Sequence, residues 1–263
     1  MSVILDTQKV MRDVRGLPFC YLCGDGFDPT DTVNRDHVPP SGIFATVDRD
    51  FPLILRSHQE CNEARSRDDH VVSQLVGVLH GRKPNRKHKK LRVQLGRFEN
   101  GSRAIVVGGL DLRSIIRRWI RGFHAAMYKE YLPETDSFMT CPPLPEAEPA
   151  AGGPKFMPVQ EVIPLFVKEL KRNRATQTLD QIVCRNGKCR YECVWTQADN
   201  GTWICIYGLD LYKWVDLGDK NFEPRGCVGT YIRPGGGVPP GASRSTGLEF
   251  PVATSARLDP FGE

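Results

Sequence analysis

The stretch that decides the fold is HQECNEARSRDDHVVSQLVGVLHG, residues 58–81. It opens on a His-x-x-Cys pair, His58 and Cys61, two donors at the spacing of a metal knuckle. It then reads as a helix, because Val71, Leu75 and Leu79 recur at helical spacing and Gly81 stands where such a helix stops. Cys20-Tyr-Leu-Cys23 supplies the matching pair upstream. Thiolate and imidazole both suit Zn²⁺, and four protein donors leave no position for water, so the expected zinc is structural. Its job would be to hold together a segment with little core of its own.

Between the two pairs lies NRDHVPPSGIF, residues 34–44. Closing the zinc site is expected to bring Asp36 and His37 near Asn62, the residue directly after the last donor. A carboxylate and an amide oxygen are hard ligands suited to Mg²⁺ or Mn²⁺, and a neutral imidazole beside them can take a proton from water. Val38-Pro39-Pro40 restricts how the chain leaves the pair. Alternation along a strand points Asp36 and His37 to opposite faces, so either the backbone twists or bulges there, or one of the two acts from elsewhere. Asn62, Ser66 and Asp69 share one helix face. Ser66 and Asp69 are either partners of the metal site or of His37, or plain solvated side chains. Arg65 is placed for a phosphate oxygen or for a salt bridge with Asp69.

The combination CYLCG, RDHVPP and HQECNEARSRDD resembles the HNH endonuclease family, in which two strands and a helix surround one catalytic metal. The likeness covers about residues 17–80, and its particular look is that of a branch with zinc knuckles flanking the active site. It implies His37 as general base, Asp36 and Asn62 as ligands of the catalytic cation, and Cys20, Cys23, His58 and Cys61 as zinc ligands. It implies DNA as substrate, with 5′-phosphate and 3′-hydroxyl products. His58 stands where the family more often has cysteine. The middle Asn of the family has no clear counterpart, Asp48 or Asp50 lying nearest.

The expected architecture is α+β: a small zinc-bound ββα-metal nuclease domain over 1–80, then a basic segment and amphipathic helix over 81–140. A Pro/Gly-rich linker (141–160) leads to a β-rich region over 161–232, read as an antiparallel meander, and a disordered tail over 233–263. Residues 80–97 hold Arg82, Lys83, Arg86, Lys87, Lys89 and Lys90 among other bases and no acid. Such a block is either a solvated segment or an arm that gains affinity for nucleic acid by releasing counterions. In 111–131, Ile115, Ile116, Trp119, Ile120, Phe123 and Met127 form an apolar face, with Arg113, Arg117 and Arg121 on a wet one. Asn186-Gly187 and Asn200-Gly201 punctuate the meander. Cys184, Cys189, Cys193 and Cys205 read as small buried thiols rather than a second metal site.

The net charge is +5, and no apolar run is long enough for a membrane helix. The first residues lack the apolar core of a secretory signal. A cytoplasmic protein is expected, and nine cysteines, an odd number, argue against a full disulfide set. Two other functions compete with the nuclease: a zinc-dependent module that binds nucleic acid without cutting, and a subunit silent until a partner protein activates it through the C-terminal half. A double-strand cutter with one active site per chain would also tend to form a homodimer.

Overall fold

The computed structural model describes residues 2–79, 92–97, 103–108, 112–134, 139–141, 159–198, 200–211, 227–233 and 237–239. In chain order the elements are β1 (Ile4–Leu5), α1 (Gln8–Asp13), β2 (Val33–His37), β3 (Ile54–His58), α2 (Gln59–Leu79), β4 (Arg92–Arg97) and β5 (Arg103–Gly108). There follow α3 (Leu112–Tyr128), β6 (Met139–Cys141), α4 (Val159–Ala175), β7 (Asp180–Cys184), β8 (Cys189–Gln197), β9 (Trp203–Leu211) and β10 (Cys227–Ile232). The fold is mixed α+β. Its main sheet runs β1-β7-β8-β9-β10-β6, with β1 parallel to β7 and the other pairs antiparallel. The hairpins β2–β3 and β4–β5 stand as separate two-stranded sheets. No helix among the described residues is long and apolar enough to cross a membrane.

The meander forms where its turn residues allow. Between β7 and β8 the chain passes through Arg185, Asn186 and Gly187 at φ of 56°, 52° and 77°, a left-handed path that Asn and Gly adopt at least cost. Strand β8 is buried on both faces from Tyr191 to Thr196, because helices cover both sides of the sheet. Against one face, Phe123 of α3 stacks on Tyr191 with ring centroids 4.8 Å apart. Against the other, Phe166 and Leu170 of α4 pack on Val194, Ile206 and Val228. Helix α4 falls where only the end of the linker and a β-rich region were expected. Pro164 lies inside it and removes one helical hydrogen bond; burial of Phe166 and Leu170 on the sheet offsets that loss.

Helix α3 sits at the centre. Residues Arg118 to Tyr128 are all buried along it, so the wet basic stripe expected on this helix is confined to its start, and Arg121 is turned inward. His124 is fully buried; its Nδ1 lies 2.9 Å from the Tyr231 hydroxyl, and its ring meets Tyr128, Trp195 and Tyr231 edge-on. Burial, helped by Arg233, holds its pKa down at about 3. The fold therefore keeps this imidazole neutral, while the unfolded chain protonates it below about 6.5. The stability it contributes is present above pH 6.5 and falls as the pH drops towards 3. Between pH 7 and pH 5 the loss is about 2 kcal/mol. His124→Gln is expected to flatten the acid side by that amount, as read by urea denaturation of both proteins at the two pH values.

The β2–β3 hairpin is pressed against α3. A Cβ on Gly122 would meet Val38 Cγ1 at 2.8 Å, so only glycine lets the chain leaving His37 approach the helix this closely. Val38, Leu53 and Leu55 of the hairpin region share one apolar cluster with Trp119 and Phe123 of α3 and with Tyr191, Trp195 and Tyr231 of the sheet. Residues 82–90, most of the expected linker and residues 240–263 lie outside the described residues, as do the side chains of β4 and β5. The β4–β5 hairpin itself falls where only a basic segment was expected.

Candidate metal centre and the His37 loop

Cys20, Cys23, His58 and Cys61 come together with all four donor atoms within 4.8 Å of one another, a cluster that can hold a metal ion such as zinc. Local backbone makes the first knuckle. The Gly24 amide donates to the Cys20 carbonyl at 2.8 Å, the Cys20 amide to the Asp25 carbonyl at 2.8 Å, and Gly24 takes φ 91°. Extended structure in this stretch is confined to a single bridge, Phe19 to Gly26, because the turn uses the backbone groups a strand would need. The second pair straddles the end of β3 and the first turn of α2.

His58 is oriented from behind. Its Nδ1 lies 3.3 Å from Cys23 Sγ, inside the cluster, and its Nε2 lies 3.2 Å from Asp31 Oδ2. A carboxylate on the outer nitrogen fixes the tautomer that leaves Nδ1 free to bind metal, as outer partners of ligating histidines do. The His58 amide also approaches Cys20 Sγ, at 3.4 Å. Burial pushes the Cys23 thiol up to about 12 and raises Cys61 as well. Near neutral pH the protein alone therefore does not favour thiolates, and a bound divalent cation reverses that preference. Asp31 was not singled out in the sequence, where it reads as one more acid of a turn.

Arg121 braces this knuckle. Its Nη2 donates to the Leu22 carbonyl and to the Tyr131 hydroxyl, and its Nε donates to the Leu132 carbonyl at 2.8 Å. A cleft of about 280 Å³ opens beside the cluster between α2 and α3, with Cys23, Cys61, Arg65, Asp68, Arg117 and Arg118 among its walls. Asp69 pairs with Arg118 of α3, not with Arg65. The Ser66 hydroxyl donates to the Glu63 carbonyl at 2.9 Å within its own helix.

The β2–β3 ladder is regular over all five pairs, from Val33–His58 to His37–Ile54. No bulge intervenes, so Asp36 and His37 face opposite sides. Asp36 turns inward: it is buried and accepts a hydrogen bond from the Tyr21 hydroxyl. Burial raises its pKa, opposed by Tyr21, Arg118 and the His37 amide. Asn62 is half-buried in the first turn of α2, and its amide has no hydrogen-bond partner among the described residues. His37 is half-buried on the outer face, and its ring likewise has no partner among them. Burial, then the charges of Arg185 and Arg15, lower its pKa. No group of three or more Cys, His, Asp or Glu donors other than the cluster at Cys20 occurs among the described residues. Cys184, Cys189, Cys193, Cys205 and Cys227 are buried and form no disulfide among the described residues.

The loop after His37 is held by a residue no local pattern points to. Arg185 leaves the β7–β8 turn and is 1% exposed. Its Nη1 donates to the Arg49 carbonyl at 2.7 Å, and its Nη2 to Ser41 Oγ at 2.8 Å and the Pro39 carbonyl at 3.3 Å. It also lies 5.2 Å from the centre of the Phe44 ring, and the Asn186 amide donates to the Val47 carbonyl at 3.3 Å. Arg185→Met would strip these acceptors of their donor, at about 1–3 kcal/mol for each that stays buried, so a loss of about 3 kcal/mol is expected in urea denaturation. Arg185→Lys is expected to recover only part of it, since an ammonium cannot reproduce the planar fork.

Comparisons with family models, with curated proteins and with solved structures return no match to this chain.

Proposed function

We propose that the chain is a metal-dependent endonuclease of the HNH type that hydrolyses phosphodiester bonds in DNA. The observation that carries the reading is His37. It is a half-buried imidazole without a hydrogen-bond partner among the described residues and with its pKa held below the usual value, placed at the end of a strand whose other end is tied to a four-donor metal cluster. A structural histidine is normally satisfied; one kept neutral and unengaged is suited to take a proton. As water attacks phosphorus, His37 accepts its proton while the bond from phosphorus to the 3′ oxygen breaks, and that oxygen takes a proton from solvent. Arg15 and Arg185 near His37 favour its neutral form and add positive charge where phosphate would lie. The zinc cluster fixes the start of α2, and Arg185 fixes the loop leaving His37, so the imidazole is positioned from both sides.

Asp36 and Asn62 are the residues that would hold the divalent cation. Tyr21 and the His37 amide use part of the accepting capacity of Asp36, and a carboxylate has about four lone-pair sites. Bound there, Mg²⁺ or Mn²⁺ would supply positive charge for the phosphoryl and leaving oxygens. The burial of Asp36 beneath Tyr21 favours a second reading, in which the same unit binds nucleic acid without cutting it. Incubation of zinc-loaded protein with supercoiled plasmid, with and without added Mg²⁺ or Mn²⁺, separates the two. Cation-dependent nicking is expected; binding without nicking would leave the second reading. Neighbouring gene products added to an inactive preparation test the partner-activated form.

A further inference from the structure

A second groove, of about 290 Å³, lies along the β2–β3 hairpin and is lined by Arg15, Asn34, Arg35 and Arg56 with Val33, Ile54 and Leu55. Arg35 and Arg56 are directly opposite in the ladder, so their side chains share a face. Like charges placed directly opposite each other destabilise a sheet. Arg15 reaches the same groove from the 3₁₀ turn Val14–Gly16, and its Nε is buried with no hydrogen-bond partner among the described residues. Among the described residues no acid lines the groove, and none of the three guanidinium groups has an ion pair or hydrogen bond with them. Arg56 is instead set in place by the Phe27 ring, 4.3 Å from its centroid. Three unneutralised guanidinium groups held on one face are a site for anions, and their planar forks match phosphate.

We infer that this groove is a phosphate track: Arg15, Arg35 and Arg56 grip successive backbone phosphates of a polynucleotide strand and lead it to His37. Ile54, a wall of the groove, is the cross-strand neighbour of His37, and the charge of Arg15 reaches that imidazole. A strand fits better than a single phosphate compound because three guanidinium groups carry more donors than one phosphate can take up, and the groove they line runs along the hairpin beside Val33, Asn34, Ile54 and Leu55. The inference rests on the nuclease reading only for what happens to the strand; binding tests it alone.

The experiment uses full-length, zinc-loaded His37→Ala protein, which holds a strand without cutting it, and fluorescence anisotropy with labelled duplex DNA, single-stranded DNA and single-stranded RNA. Salt is varied from about 50 to 200 mM. Arg15→Gln and Arg35→Gln are each expected to lower the slope of log K against log salt by about 1, and the double variant by about 2. Affinity in the double variant is expected to fall at least tenfold. The three probes rank the strand types. Arg56→Gln is read together with zinc content, because Phe27 packs edge-on against His58 at 5.1 Å. Unchanged slope and affinity in the double variant would overturn the track, and so would a strand held wholly by the bases of 82–90. Competition by inorganic phosphate for the groove, with no measurable strand affinity, also counts against it. If the wild type shows these slopes but never nicks DNA in Mg²⁺ or Mn²⁺, the nuclease reading fails and the track stands.

Discussion

Cys61→Ser is expected to lose about one equivalent of zinc per chain and more than about 4 kcal/mol of stability, the scale on which loss of a structural metal acts. For a chain of this size that is a fall of roughly 8–16 °C in Tm. The loss has a location. The first knuckle is a turn built on two backbone hydrogen bonds around Gly24, and the four donors join it to the start of α2. Tyr21 of the knuckle reaches the main core, while the β2–β3 region enters it through Leu55, Val38 and Leu53, and β8 is buried on both faces. Hydrogen exchange should therefore show early loss of protection in residues 19–26 and the first turns of α2, then in β2 and β3, with β8 and β9 little changed. Asp31→Asn keeps all four donors but weakens the hold on His58 Nε2, and should reduce zinc affinity about 10–100-fold, as loss of an outer partner does. Metal content by atomic absorption, alongside thermal unfolding, decides the matter. A Cys61→Ser protein with full zinc, or with no zinc and an unchanged Tm, contradicts a structural role for the cluster.

What could be read from the sequence was what depends on near neighbours. The donor pairs declare themselves because a knuckle needs two ligands a few residues apart, and their partnership follows from tetrahedral demand. Helices α2 and α3 and the Asn-Gly turns were legible for the same reason: periodicity and left-handed φ are local properties. Helix α4 was not, since Pro164 and its neighbours argue against it locally and only the sheet face at Val194 and Ile206 stabilises it. Arg185 was beyond reach, because its acceptors lie more than a hundred residues earlier and no spacing rule links an arginine in a turn to a loop so distant. Arg121 was misread for a related reason. A helix that alternates Ile with Arg looks amphipathic, yet the carbonyls of Leu22 and Leu132 draw this arginine into the interior. The alternation of Asp36 and His37 was foreseen as a difficulty, and the regular ladder leaves it in place.

His37→Ala is expected to lower cation-dependent nicking by about 10²–10⁴-fold, the usual contribution of general acid–base catalysis, with zinc content, thermal stability and DNA binding close to wild type. The structure gives a reason for that separation. The ring has no hydrogen-bond partner among the described residues, so its removal leaves no orphaned group, and the strand beneath it is held by its ladder to β3, by the close contact of Val38 with Gly122, and by Arg185 on the loop beyond. His37→Gln keeps much of the size without the basicity and should be as poor a nuclease as the alanine variant. Asp36→Asn probes the other face of the strand. If Asp36 binds the cation, the amide weakens the metal site and cleavage falls while the fold survives. If Asp36 acts only through Tyr21, stability falls instead and cleavage by the remaining folded protein persists. The two substitutions, one residue apart on opposite faces of β2, thus ask separately where the proton goes and where the cation sits. Undiminished nicking by purified His37→Ala would remove the imidazole from the reaction, and with it the observation on which the nuclease proposal stands.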